Sequence, residues 1–185
     1  MTQFTRRTAV LGALAGMTLA ACGNGIGSNG AATIDARTES TLNFMYDTYP
    51  GTRDLAGKAA GVLVMPLVTE IGLGLGGSFG RGALRVGDTT VDYYSSTSGS
   101  AGLQIGAQQY SHVLFFMTQD ALLDFRRGQG WAAGADVTYA INDQGEMLQA
   151  ETTTSLAPAI AVVFAQAGLR VGATLEGTKY TRIIP

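Results

Sequence analysis

Cys22 is the one cysteine of the chain, and it closes the series Leu19-Ala20-Ala21-Cys22. That series follows Arg6-Arg7 and an apolar run over 9–21. A charged start, a short apolar middle and small residues before a cut are the parts of an export signal. The run falls short of the about 20 residues that a membrane-crossing helix needs. The order Leu-Ala-Ala-Cys resembles the bacterial lipobox, in which the cysteine sulfur is acylated and the cysteine becomes the new N-terminus. Thr5-Arg6-Arg7 with Val10-Leu11 resembles, more loosely, a twin-arginine export signal. The expectation is a lipoprotein signal peptide over 1–21 and a lipidated Cys22 carrying palmitate-type chains. The chain is then exported to the periplasmic side of a Gram-negative cell envelope. Gly23 stands where an aspartate commonly retains lipoproteins at the inner membrane, so the outer membrane is the expected anchor.

The other chemistry-bearing residues point away from catalysis. His112 is the single histidine, and any Ser-His-Asp triad would need it. No serine lies in a strand-to-helix nucleophile elbow, so His112 is expected to be a structural or surface residue opening a strand over 112–117. One histidine and an acylated cysteine fall short of the three or four nitrogen and sulfur ligands of a zinc site. Asp120 and Asp124 stand one helical turn apart and are read as a helix-start charge and a solvated face. Gly72-Leu73-Gly74-Leu75-Gly76-Gly77 has the form of a dinucleotide fingerprint, which requires a helix directly afterwards. Ser78-Phe79-Gly80-Arg81-Gly82 follows instead, so a glycine-rich strand pair is expected. No catalytic residue, metal ligand or cofactor is assigned. Tyr93 and Tyr94, with the serine-rich stretch 95–100, are read as a polar loop with aromatics at its base, able to dock a ligand or headgroup. Arg81, Arg85, Arg126, Arg127 and Lys179 are the candidate lipid-headgroup contacts, provided that several converge on one anion site.

These residues need elements to hold them. Residues 22–34, lipidated cysteine and glycine-rich stretch together, read as a flexible tether, and 35–185 as one domain. All 14 acids stay in the exported form while two of the 12 basic residues leave with the signal, which makes it more acidic than the −2 of the full sequence. Such a domain lacks the basic balance of a nucleic-acid binder. Leu42, Met45, Tyr46 and Tyr49 fall at helical spacing from Asp35 onward, and Pro50-Gly51 ends that helix. A second short helix is expected over 52–60 and a buried strand over 62–66, ending at its proline.

A local motif then recurs at 71–76, 101–106 and 167–172: small or apolar, Gly, Leu, variable, aliphatic, Gly. In a strand the Leu and aliphatic positions share one face and the glycines the other. The bare face permits sharp curvature or close approach of another layer. Further strands are expected over 136–141, 147–152 and 159–164, with a turn at 142–145. One helix is inserted over 120–127, acidic at its start, with Arg126 and Arg127 at its end and Gly128 as stop. The fold class is α+β: N-terminal helices packed on a curled, mostly antiparallel sheet or small barrel with one inserted helix.

Taken together, Ala60-Gly61-Val62-Leu63-Val64-Met65-Pro66, Gly76-Gly77, Gly80-Arg81-Gly82, Gly102, Gln104, Gly106-Ala107 and Phe125 carry a resemblance. Ala135-Asp136-Val137, Gly168-Leu169, Gly172 and Leu175-Glu176-Gly177 complete it. The chain resembles the SYLF domain family over roughly 38–184. That family occurs in bacterial lipoproteins and in eukaryotic lipid-binding and actin-regulating proteins, and its members are not known as enzymes. The resemblance implies binding of membrane lipid, with phosphoinositides the ligands in eukaryotic members and actin a partner in some. The expectation is a non-catalytic envelope lipoprotein whose domain binds lipid or membrane surface. The alternative is an envelope scaffold or protein-interaction module without lipid specificity.

Overall fold

The computed structural model describes residues 28–128, 131–132, 137–139, 157–164, 175 and 177–185. Cys22, the third glycine motif, the strand expected over 147–152 and the turn at 142–145 lie outside the described residues.

Two helices come first. α1 (Gly30–Thr48) starts ahead of the expected Asp35, since Ala31 and Ala32 favour helix and the Gly30 N–H is met by Ser28 Oγ at 3.1 Å. It buries Ile34, Thr38, Thr41, Leu42 and Met45, a stripe at helical spacing. α2 (Gly51–Lys58) follows at once, with Thr52 and Leu55 buried. The Thr52 hydroxyl donates to the Tyr49 carbonyl at 2.7 Å and secures the corner.

β1 (Gly61–Val86) and β2 (Thr89–Phe116) form one long antiparallel ribbon. Its turn is Gly87-Asp88, and Gly87 takes a φ of 58°, which costs a glycine little. Two of the three glycine motifs pair with each other, Gly72 opposite Gly106 and Gly74 opposite Gly102. This is the expected glycine-rich strand pair, and strand continues to Val86 where a nucleotide fingerprint would need a helix. The strand does not end at Pro66. A register shift between Met65 and Val68 absorbs the proline, which has no N–H to pair. The Ser111 hydroxyl donates to the Pro66 carbonyl at 2.7 Å across this irregularity.

The ribbon curls back onto itself, and two glycines allow it. A Cβ on Gly82 would collide with the Val64 carbonyl, and one on Gly80 would lie 2.9 Å from the Leu67 carbonyl. Backbone thus lies close to backbone at both positions. The stretch expected as a polar loop after Tyr94 is also strand. Ser78 and Ser98 join their hydroxyls across the ribbon at 2.7 Å, and Gly77 stands opposite Gly99.

β2 organises the remaining strands. β5 (Ala159–Phe164) lies antiparallel to its 111–116 end, and β6 (Lys179–Ile183) antiparallel to its 93–97 stretch. β3 (Trp131–Ala132) adds to β6, and β4 (Val137–Tyr139) adds to β5 in parallel. α3 (Gln119–Arg127) is the inserted helix, capped by the Thr118 hydroxyl, which accepts from the Ala121 N–H at 3.1 Å. The architecture is α+β. Of the two sheet forms expected, the open curled sheet is the one observed among the described strands, which do not close into a barrel.

Both faces of the sheet's centre are covered. Leu63, Met65, Leu84, Tyr94, Leu114, Phe116 and Tyr180 pack with Leu122 and Phe125 of α3 on one face. Val64, Val113, Phe115, Ile160, Val162 and Phe164 pack with Leu42, Met45 and Leu55 of α1 and α2 on the other. Consecutive strand residues serve opposite faces, and both faces are buried, so these segments read as unbroken apolar runs. The Phe125 ring sits 4.7 Å from those of Tyr94 and Phe116.

Candidate functional site

Register sorts the candidate cations onto opposite faces of the curl. Opposite residues of neighbouring strands share a face, so Phe79, Thr97 and Lys179 form one row and Arg81, Ser95 and Thr181 the next. Arg81 and Lys179 are therefore on one face, about 12 Å apart from strand and residue spacings. Asp92, Tyr94 and Arg182 are on the other face, toward α3. Arg126 joins them there. Its Nε donates to Asp92 Oδ2 at 3.0 Å, and Arg182 Nη2 donates to the same oxygen at 2.6 Å. The Asp92 side chain is 12% exposed, so this clamp ties α3, β2 and β6 together. The bond to Asp92 holds the Arg182 guanidinium even further above its ordinary range.

Arg85 is also committed. Nη1 donates to Glu39 Oε2 at 2.7 Å and Nη2 to the Asp88 carbonyl at 2.9 Å, joining α1 to the ribbon turn. Arg127 is exposed at the C-terminal end of α3, where the helix dipole welcomes a cation. The five candidates thus do not converge: Arg126 and Arg85 are structural, and Arg81 and Lys179 share a face apart from Arg127.

The tyrosines expected at the base of a docking loop hold the fold instead. Tyr93 OH donates to Asp35 Oδ2 at 2.8 Å and Thr90 Oγ1 donates to Oδ1 at 3.0 Å, which seats α1 on the ribbon. Burial first, then the Asp35 bond and charge, push the Tyr93 phenol up to about 12. Tyr94 is buried against Phe125, and burial raises its phenol as well.

His112 is fully buried, and its Nε2 shares a hydrogen bond with the Tyr180 hydroxyl at 2.8 Å. Burial pulls its pKa down to about 3, so the ring is neutral across the physiological range. A sealed, neutral imidazole that bonds β2 to β6 is a structural histidine. Among the described residues no group of three or more histidine, cysteine, aspartate or glutamate side chains is placed to hold a metal ion.

One concavity has a chemical character of its own. A cleft of about 470 Å³ opens between the start of α1 and the fold-back of β1. Asn29, Thr33 and Arg37 line one wall, and Leu67, Phe79 and Arg81 the other. None of its described lining residues is acidic. Phe79 is 50% exposed, and the Arg81 guanidinium lies over its ring, 5.8 Å from the centroid. The first N–H groups of α1 also face this end of the helix, where partial positive charge collects. Basic side chains and an exposed phenyl ring thus line one cleft. A second cleft, about 420 Å³, holds Arg85 with Glu39 and Asp88 and has no such excess of charge.

Sequence reading found Arg81 but missed Arg37 and Phe79. Arg37 lies in α1 close to the buried stripe, and nothing in its local spacing ties it to a residue of β1.

The fold is an α+β domain in which helices cover a curled sheet, with a cleft between α1 and β1. Residues 97–182 match the model of the Ysc84 family, described as a Las17-binding protein actin regulator. Over that segment, somewhat less than half of the chain, the sequence is similar to that family, in line with the SYLF resemblance. The match begins within β2 and ends within β6. It takes in Arg126, Arg127, Lys179 and Arg182, and it leaves Arg37, Phe79 and Arg81 outside. No curated protein matches the chain.

Proposed function

We propose that this is a non-catalytic lipoprotein of the cell envelope, whose domain engages the lipid surface to which Cys22 anchors it. The observation that carries the reading is the cleft at the start of α1, lined by Arg37, Arg81 and the half-exposed Phe79. A cationic hollow in a chain with more acids than bases is a place set apart by charge. The family resemblance extends the reading to phosphoinositide-type headgroups. No helix among the described residues is long and apolar enough to cross a membrane. The reading assigns attachment to the acyl anchor and to surface contacts. Each buried methylene of an acyl chain contributes about 0.8 kcal/mol to anchoring. Export places the domain on the periplasmic side, where actin is absent.

Flotation of the exported chain from Gly23 onward, which keeps every described element but no anchor, tests the reading. Cofloating with vesicles containing phosphatidylglycerol is expected. Failure to float with vesicles of any anionic or zwitterionic composition would overturn it. A scaffold role is the second reading, favoured by the family's description as binding Las17. Capture of a specific envelope protein by a chain that floats with no vesicle would favour that role.

A further inference from the structure

We infer that Asn29 is a self-modification site: the Gly30 backbone nitrogen closes on the Asn29 side-chain amide, expels ammonia and leaves an aspartate or isoaspartate at the start of α1.

Closing that five-membered ring requires the nitrogen of the following residue to approach the asparagine side chain, and a Cβ on that residue obstructs the approach. Glycine has none. One helix holds both cases. Asn29 precedes Gly30 at the start of α1, whereas Asn43 precedes Phe44 in its body. Both asparagines are exposed, so solvent access does not separate them.

No capping hydrogen bond holds the Asn29 side chain. Its backbone is held more firmly. The φ and ψ of Asn29 are −82° and 13°, and ψ must swing outward before the Gly30 nitrogen faces Cγ. That swing releases the Gly30 N–H from Ser28 Oγ, 3.1 Å away. It also releases the Asn29 carbonyl from the Thr33 N–H at 3.0 Å and the Thr33 hydroxyl at 2.9 Å. All three bonds lie in the first turn, where helices fray. Asn43 would have to open the body of the helix instead, beside the buried Leu42 and Met45.

The step consumes only water. The Gly30 nitrogen gives up its proton and bonds to Asn29 Cγ. The Cγ–Nδ2 bond breaks, and Nδ2 leaves as ammonia with that proton. Water then opens the imide. Breaking the bond between the Gly30 nitrogen and Cγ gives aspartate. Breaking its bond to the Asn29 main-chain carbonyl carbon gives isoaspartate, with the chain rerouted through the side chain. Either product puts a carboxylate at the positive end of α1, in the lining of the cleft that Arg37 shares.

The test incubates the chain from Gly23 onward at mildly alkaline pH, folded and in urea. Tandem mass spectrometry follows the replacement of one NH by one oxygen at each asparagine, and separates Asn29 from Asn24, which also precedes a glycine. Folded Asn29 is expected to convert about thirtyfold more slowly than in urea, because three first-turn hydrogen bonds at the low end of their usual worth must open. Isoaspartate is expected among the products, and Asn43 of the folded chain is expected to stay intact. An Asn29→Gln chain, whose longer side chain disfavours the ring, should also stay intact at that position. Folded Asn29 that converts no faster than Asn43 would overturn the inference. Aspartate formed without isoaspartate would overturn it too, because water and not the Gly30 nitrogen would then be the attacking group. So would conversion of the Asn29→Gln chain at the parent's rate.

Discussion

Two pairs of arginines on opposite faces of the curled ribbon do opposite things. Arg126 and Arg182 close on Asp92 between α3, β2 and β6. Arg37 and Arg81 stand in a cleft whose described lining holds no acid. The first pair is charge used for holding the fold, and the second lines an open cleft. A list of basic residues cannot separate these settings. They follow from register rather than from spacing along the chain.

The contrast can be broken by perturbing each face and reading stability and vesicle binding separately. Acid should act most strongly, through the α3 face. His112 has a folded pKa of about 3 against an ordinary value of 6.5. Below pH 6.5 the unfolded chain takes up a proton that the native ring refuses, so stability falls with pH until about 3 and then levels. The total is on the order of 5 kcal/mol, to be read from urea midpoints across that window. A flat profile in which His112→Asn changes nothing would show that the ring is not sealed.

Gly82→Ala comes next. Its Cβ meets the Val64 carbonyl, and separating two backbones should cost about 3 kcal/mol. A neutral result would mean that the fold-back is looser than described. Asp92→Ala leaves two guanidiniums facing each other and should cost about 2 kcal/mol, largely recovered in a chain that also carries Arg182→Ala. The smallest expected effect is on the cleft face: Arg37→Gln should shift stability by less than about 0.5 kcal/mol. A loss comparable to that of Asp92→Ala would mean that Arg37 belongs to the fold.

Much of this architecture was readable from residues. The stripe of α1, its stop at Pro50-Gly51, α3 with its charged ends and the apolar run of β5 are all local patterns, and they formed where expected. The glycine motifs announced a strand pair with a bare face, and Gly72 and Gly106 do pair. What escaped depends on distant partners. Pro66 looked like a strand end until a bulge absorbed it. The serine-rich stretch after Tyr94 looked like a loop, yet Ser98 finds Ser78 across the ribbon. β6 is short, with only Tyr180 buried among its residues, too little apolar pattern to mark a strand. The cleft had no local signature, since Arg37 and Arg81 meet only because the ribbon curls beneath α1.

The central claim is that the domain itself, and not only an anchor, contacts lipid. It is tested most directly by measuring thermal midpoint and phosphatidylglycerol-vesicle affinity on the same preparations of the Arg37→Gln chain. An unchanged midpoint with affinity down about fivefold is the predicted result. An unchanged affinity, or a loss of affinity that merely follows a lowered midpoint, would contradict it.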